Sequence, residues 1–302
     1  MTTPRPQRLV VMASALIDVV LDVPRLPPRG GDVLARPVAD EPGGAFNIAS
    51  AAARLGLPTR YAGPHGIGPR GDQLRAALVR EGVTVVTPPS ADQDTGYCLT
   101  FVDGDGERTF VTVGGADTAM AADVLAAVEV GAADAVYVTG YDLAYPVSAA
   151  PLAGRINDLP ATALLVVDPG PLIADIDRDI WSQVAPRIDL LSWSAREESL
   201  LPWLRTMLPK DAVVVRRAGA DDVRLELPER EPLMVATHPV DPVDTNGAGD
   251  VHVAALLAAL HGGLTWEDAV AMANLAAAYA TTGRGGAHGP TLKQLRTFQA
   301  ST

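Results

Sequence analysis

The richest chemistry in the chain lies in Asp244-Thr245-Asn246-Gly247-Ala248-Gly249-Asp250, which runs directly into the apolar stretch Val251 to Leu260. Two glycines and an alanine at the start of a helix leave backbone N–H groups bare. The first N–H groups of a helix have no intrahelical acceptor, and the macrodipole adds positive character, so this turn attracts an anion. Asp250 places a carboxylate in the same turn. An anion cradle beside a general base is what phosphoryl transfer to a hydroxyl requires. A second segment, Gly43-Gly44-Ala45-Phe46-Asn47-Ile48-Ala49-Ser50, has two glycines that let a ligand approach the backbone and an amide at the start of a helix. Taken alone, it reads equally well as a Gly-Gly turn leading into a helix that Gly56 stops.

Other motifs carry less. Gly66-Ile67-Gly68-Pro69-Arg70-Gly71 spells the dinucleotide fingerprint, but a hairpin follows it rather than a parallel strand with an acid at its end. A tight loop on the substrate side is the better reading. There is no Walker A loop, no H-E-x-x-H, no paired Cys-x-x-Cys and no G-x-S-x-G elbow. The five histidines are scattered. His252 follows Asp250 closely but has no spaced partner, so it reads as packing or surface rather than as a metal ligand.

These residues need a frame. The chain has 302 residues, 48% of them hydrophobic, enough for a full core. Expected strands at Leu9–Ala13, Arg60–Ala62, Ala135–Thr139, Ala163–Asp168, Leu190–Ser192 and Ala212–Arg216 alternate with helices at 48–55, 73–80, 121–128, 148–158, 180–185, 251–260 and 266–281. Val223–Leu227 and Leu233–Ala236 read as a hairpin. Such alternation predicts an α/β fold with a mostly parallel central sheet flanked by helices. Two β-rich excursions, about 18–42 and 94–115, interrupt it. The first includes short alternating pieces such as Asp32–Ala35. The second has Asp103-Gly104-Asp105-Gly106 between two β-rich runs, a hairpin signal. Together they predict a small β-sheet lid on a single domain spanning 1–302. The formal net charge of −12 argues against a nucleic-acid partner. No apolar stretch reaches the length of a membrane span, and no signal peptide is read at the N-terminus. The lone Cys98 fits a buried core position in a reducing compartment, so a cytoplasmic location is expected.

Together the two glycine-bearing segments resemble both signatures of the ribokinase-like (PfkB) carbohydrate kinase family. Gly43, Gly44, Asn47, Ala49, Leu55 and Gly56 match the first, and 244–250 matches the second at every fixed position. An early Asp18, Gly106-Glu107-Arg108-Thr109-Phe110 in a hairpin, Asp168-Pro169 after a strand and Asn274 in a late helix agree in order. The resemblance implies an ATP-dependent kinase acting on a hydroxymethyl group of a sugar or sugar-like compound. It makes Asp250 the base and the N–H groups of Gly247, Ala248 and Gly249 the anion hole. Asp18, Gly43, Gly44 and Asn47 become the sugar ligands, and the nucleotide lies near Ser194, Glu197, Arg217, Gly219, Gly249 and Asn274. Glu197 recruits Mg²⁺ through water, and Asp244 with Asn246 matches a K⁺ site, although a loop-stabilising cap explains Asp244 equally well. In relatives the lid often forms the interface of a homodimer. Ser194 stands where the family usually has asparagine, Arg216-Arg217-Ala218-Gly219 replaces Thr-x-Gly, and the asparagine and arginine that often follow Asp168-Pro169 are missing. A nucleoside kinase of the same fold and a catalytically silent sugar-binding protein are the competing readings.

Overall fold

The computed structural model describes residues 3–105 and 107–301; Gly106, in the expected hairpin turn, lies outside them. The main sheet contains nine strands: β1 Arg8–Val11, β4 Thr59–Tyr61, β5 Thr84–Val85, β8 Asp134–Thr139, β9 Leu164–Asp168, β10 Leu190–Ser194, β11 Val213–Ala218, β12 Asp221–Glu226 and β13 Leu233–Val235. Their order is β13-β12-β11-β10-β9-β8-β1-β4-β5. The seven strands from β5 to β11 run parallel, and the hairpin β12–β13 adds two antiparallel strands at one edge. The central parallel strands are mostly apolar because helices cover both faces, with charged residues at their ends. One face packs against helices Ala45–Arg54, Ala248–His261 and Trp266–Thr281. The other packs against helices Ala149–Asn157 and Arg178–Val184 around Trp181 and Trp193.

From β1 the chain moves outward through β4 to β5, then returns and builds from β8 to β11 on the other side. The strand order thus reverses at β1, and in such sheets ligands bind in the crevice beyond the carboxyl ends of the strands. Asp168, Ser194 and Arg217 stand at or near those ends of β9, β10 and β11.

A second sheet of four strands has the order β3-β2-β6-β7: β2 Ala15–Asp22, β3 Arg36–Gly44, β6 Tyr97–Val102 and β7 Arg108–Val113. Asp18 lies opposite Glu41 on β3 and Cys98 on β6; Thr100 lies opposite Phe110, and Val102 opposite Arg108. Because strand side chains alternate, Asp18, Glu41, Cys98, Arg108 and Phe110 share one face of this sheet. The β-rich excursions therefore form the expected small sheet, with altered bounds. Asp32–Ala35 is not a strand, and β3 instead runs to Gly44 and hands directly to helix Ala45–Arg54, three residues earlier than the periodicity predicts. Short elements escaped the sequence reading: β5 and the helices Gly140–Ala144, Ala195–Leu200 and Leu292–Gln299. Two to eight residues give too little periodicity to register.

Candidate active site

Gly247 ends the loop before helix Ala248–His261 in the left-handed region, at φ 71°, and a side chain there would run into the Gly286 carbonyl. Only glycine fits both demands. The helix therefore begins without a side-chain cap, and its first N–H groups remain available to an anion. The Ala248 N–H is turned toward Thr245 O at 3.4 Å, a weak bond that leaves it largely free. Asp250 follows in the first turn.

The Asn47 amide, from helix Ala45–Arg54, donates to Asp250 Oδ2 at 3.2 Å. This bond joins residues 203 positions apart and brings the two glycine-bearing segments into one site. Asp18 lies near enough for its charge to act on Asp250. Gly43 is tight against the Asp18 carboxylate, and any side chain there would collide with it. Burial pushes the Asp250 carboxyl up to about 6, while Asn47, Arg217 and Tyr137 pull it back and Asp18 adds to the rise. Burial and then Glu41 push Asp18 up to about 6 as well. A carboxylate poised there is still mostly ionised at neutral pH and far more basic than an ordinary aspartate, as a general base needs.

Ser194 and Glu197 form a capping box at the start of helix Ala195–Leu200: Glu197 N donates to Ser194 Oγ at 3.2 Å, and Ser194 N donates to Glu197 Oε2 at 2.6 Å. Serine and asparagine cap helices about equally well, so the exchange at 194 keeps the architecture that orients Glu197. The glutamate is buried, with Oε2 spent on the cap. A carboxylate at a cavity wall with one oxygen so engaged fits a hydrated Mg²⁺, which is usually held by one or two carboxylates plus substrate phosphates. Among the described residues no cluster of three or more His, Cys, Asp or Glu forms a dedicated metal cage.

Arg217 is neither a surface residue nor free. It is mostly buried, its Nη2 bonds Asp168 Oδ2 at 2.7 Å, and it lies 4.0 Å from Glu197 Oε2. Its Nη1 occupies the space where a side chain on Gly249 would lie. Burial pushes the Asp168 carboxyl up to about 7, against the pull of Arg217 and with added repulsion from Glu197 and Asp250.

A cavity of about 530 Å³ opens beside this turn, lined by Ser194, Glu197, Arg217, Gly219, Gly249 and Asn274, with an apolar side from Val223, Pro239, Val240, Ala277 and Ala278. Gly219 makes the turn between β11 and β12 at φ 67°. Asn274 donates to the carbonyls of Val235 and Ala236 at 3.1 and 2.9 Å, so its amide nitrogen faces the sheet edge. Its oxygen then faces His252 Nε2, 3.1 Å away, which must carry the proton. Burial pulls His252 down to about 3 and keeps the ring neutral. His252 is thus a neutral, buried ring, and Asn274 ties it to the sheet edge; both form part of the cavity wall. A second space of about 770 Å³ continues past Ser194, Glu197, Thr245 and Asn246 to Glu107, Arg108 and Phe110 of the second sheet.

Asp244 is a clasp. Its carboxylate accepts from Asn246 N at 2.8 Å and Gly285 N at 3.1 Å, and it pairs with Arg108 of β7 at 2.8 Å. Asp18, Gly43, Asn47, Gly247, Ala248, Gly249 and Asp250 come together at one end, and Ser194, Glu197, Arg217, Gly219 and Asn274 around the adjoining cavity. Tyr137, Glu41, Arg108 and Asp168 also belong to this region. Tyr137 on β8 and Glu41 on β3 sit in strands whose pattern reveals no polar role, and Arg108 and Asp168 become informative only through their partners.

The family model described as pfkB family carbohydrate kinase matches residues 6–293. Over 302 aligned residues the chain is 31% identical to an uncharacterized sugar kinase, YegV, of Escherichia coli strain K12, with 96% of this chain and 93% of the relative covered. A ribokinase from Thermotoga maritima superposes with a TM-score of 0.80 at 22% identity, covering 97% of this chain and 99% of the other. The Arabidopsis thaliana ribokinase complexed with ribose and ATP superposes with a TM-score of 0.76 at 22% identity, covering 99% of each chain.

Proposed function

The chain belongs to the pfkB family of carbohydrate kinases and is a sugar kinase that uses ATP, and we propose that it phosphorylates a hydroxymethyl group of its acceptor with Asp250 as base. The observation that carries this reading is the Asn47–Asp250 bond, which sets the base between Asp18 and the bare N–H groups of the 247–249 turn. Asp18, Asn47 and the Gly43-Gly44 backbone hold the acceptor hydroxyls. Asp250 takes the hydroxyl proton as the oxygen attacks the terminal phosphorus of ATP in line. The N–H groups of Gly247, Ala248 and Gly249 receive the charge that develops on the transferred group; oriented donors of this kind need no reorganisation as the reaction proceeds. The nucleoside part of ATP lies in the cavity of Gly219 and Asn274, and its phosphates run toward Arg217. Mg²⁺, held by Glu197 through water, would screen phosphate charge when bound.

The second sheet acts as a lid, with Asp18, Glu41, Arg108 and Phe110 on its inner face, and keeps water from the phosphoryl group. Leu34, Val111 and Val113 are exposed on this sheet or beside it; we assign them to a homodimer interface. A cytoplasmic location agrees with the single, buried Cys98, and no helix among the described residues is long and apolar enough to cross a membrane. For K⁺, Asp244 and Asn246 remain the proposed ligands, with Arg108 already balancing the carboxylate. The test of function is ADP release across a panel of sugars, sugar acids and nucleosides with Mg·ATP. At least one sugar should drive ADP release well above the acceptor-free rate. Release with nucleosides alone would move the acceptor to that class, and sugar binding without any release would make this a silent binding protein.

A further inference from the structure

We infer that Asp168 is a positioning residue for phosphoryl transfer: it anchors one arm of the Arg217 guanidinium so that another arm is aimed over Gly249, where the terminal phosphate of the nucleotide must lie. The inference rests on the kinase reading above and adds a residue to which the resemblance gave no role.

The geometry is specific. Arg217 leaves β11 near its carboxyl end, and Asp168 closes β9, two strands away with β10 between them. The guanidinium crosses that gap. Its Nη2 is bonded to Asp168 Oδ2, its Nη1 lies over Gly249, and its buried Nε has no hydrogen-bond partner. A buried cation normally satisfies its planar donors with acceptors on more than one side. Here the protein supplies one close carboxylate, with Glu197 out at 4.0 Å. Nε is sealed from solvent, so the side of the fork left to a ligand is that of Nη1, in the cavity wall that Arg217 forms with Ser194, Glu197 and Gly249. Guanidinium donors match phosphate oxygens two at a time. A side chain as long as arginine has many rotamers, and the Asp168 anchor selects the one that lies across the helix start. Gly249 completes the arrangement, since any larger residue would occupy the place of Nη1.

The test compares wild type, Asp168→Asn, Arg217→Gln and the double variant. Titration calorimetry measures affinity for ADP and for a β,γ-imido analogue of ATP, and steady-state kinetics separates kcat from the KM for sugar. Asp168→Asn should weaken analogue binding about tenfold, the size of one charge-assisted hydrogen bond, weaken ADP less, lower kcat, and leave the sugar KM near wild type. Arg217→Gln should do the same, and the double variant should lose little more than either alone. Since Asp168→Asn leaves a buried cation without its partner and risks misfolding, the pair Asp168→Leu with Arg217→Met provides a second route. It removes both charges at similar volume, and should retain sugar binding while losing the preference for the analogue over ADP. Analogue affinity and kcat unchanged in Asp168→Asn, or losses that add in the double variant, would overturn the inference while leaving the kinase reading intact. A wild type that binds neither nucleotide would overturn both.

Discussion

At the scale of single residues, one carboxyl has to be basic and one turn has to be bare. Burial raises Asp250 to about 6, and a base works only when deprotonated. Thus kcat/KM should fall at least about tenfold per pH unit below roughly pH 6 and be flat above it, with Asp18, also near 6, titrating in the same range. Asn47 separates the two. Its bond lowers the Asp250 value, so Asn47→Ala should move the acid limb of the profile upward. A limb that stays in place would mean that Asp250 is not the group seen. Gly247→Ala meets both a left-handed backbone and the Gly286 carbonyl, and should cost at least about 1 kcal/mol of stability along with most activity, measured by thermal melting and ADP release. The seven residues from 244 to 250 were legible in the sequence because type and spacing carry their chemistry. Arg217 was legible only as a candidate, since a lone arginine after a strand gives no sign that it will cross to Asp168.

At the scale of elements, the site depends on how ends meet. The parallel strands other than β5 were readable, most of them from their apolar runs, and the longer helices from their periodicity. The handover from β3 to helix Ala45–Arg54 was not, because Gly43-Gly44 reads as a turn in sequence while in the fold it is the end of a strand of the second sheet, with Gly43 pinned against Asp18. Asn274 was legible as a site residue, but its task as a brace depends on which carbonyls face it. Asn274→Ala would strip the donor from Val235 and Ala236 and the acceptor from His252. It should destabilise the fold by about 2 to 4 kcal/mol and raise the KM for ATP more than that for sugar. A change confined to melting temperature would make Asn274 purely structural. Ser194→Ala removes one half of the capping box, and should cost about 1 kcal/mol while Ser194→Asn stays close to wild type.

At the scale of the molecule, two sheets share the work. The nine-stranded sheet carries Asp168, Ser194 and Arg217 at its strand ends, and the four-stranded sheet brings Asp18, Glu41 and Arg108 over them. The Arg108–Asp244 pair links the four-stranded sheet to the turn that holds Asp250. With a guanidinium already balancing Asp244, K⁺ should raise activity only slightly in wild type and more in Arg108→Met; a large response in wild type would contradict that reading. Sedimentation should give about twice the 31.4 kDa chain mass, and glutamates at Val111 and Val113 should return it to the monomer. On the proposed mechanism, this α/β frame holds an acceptor hydroxyl between Asp250 and the bare helix start at 247–249. The most direct test is Asp250→Asn, assayed beside wild type for sugar binding by calorimetry and for sugar-dependent ADP release. Sugar affinity should stay within a few-fold of wild type, and ADP release should fall by at least about 10²-fold. An Asp250→Asn enzyme that releases ADP at the wild-type rate would contradict the mechanism.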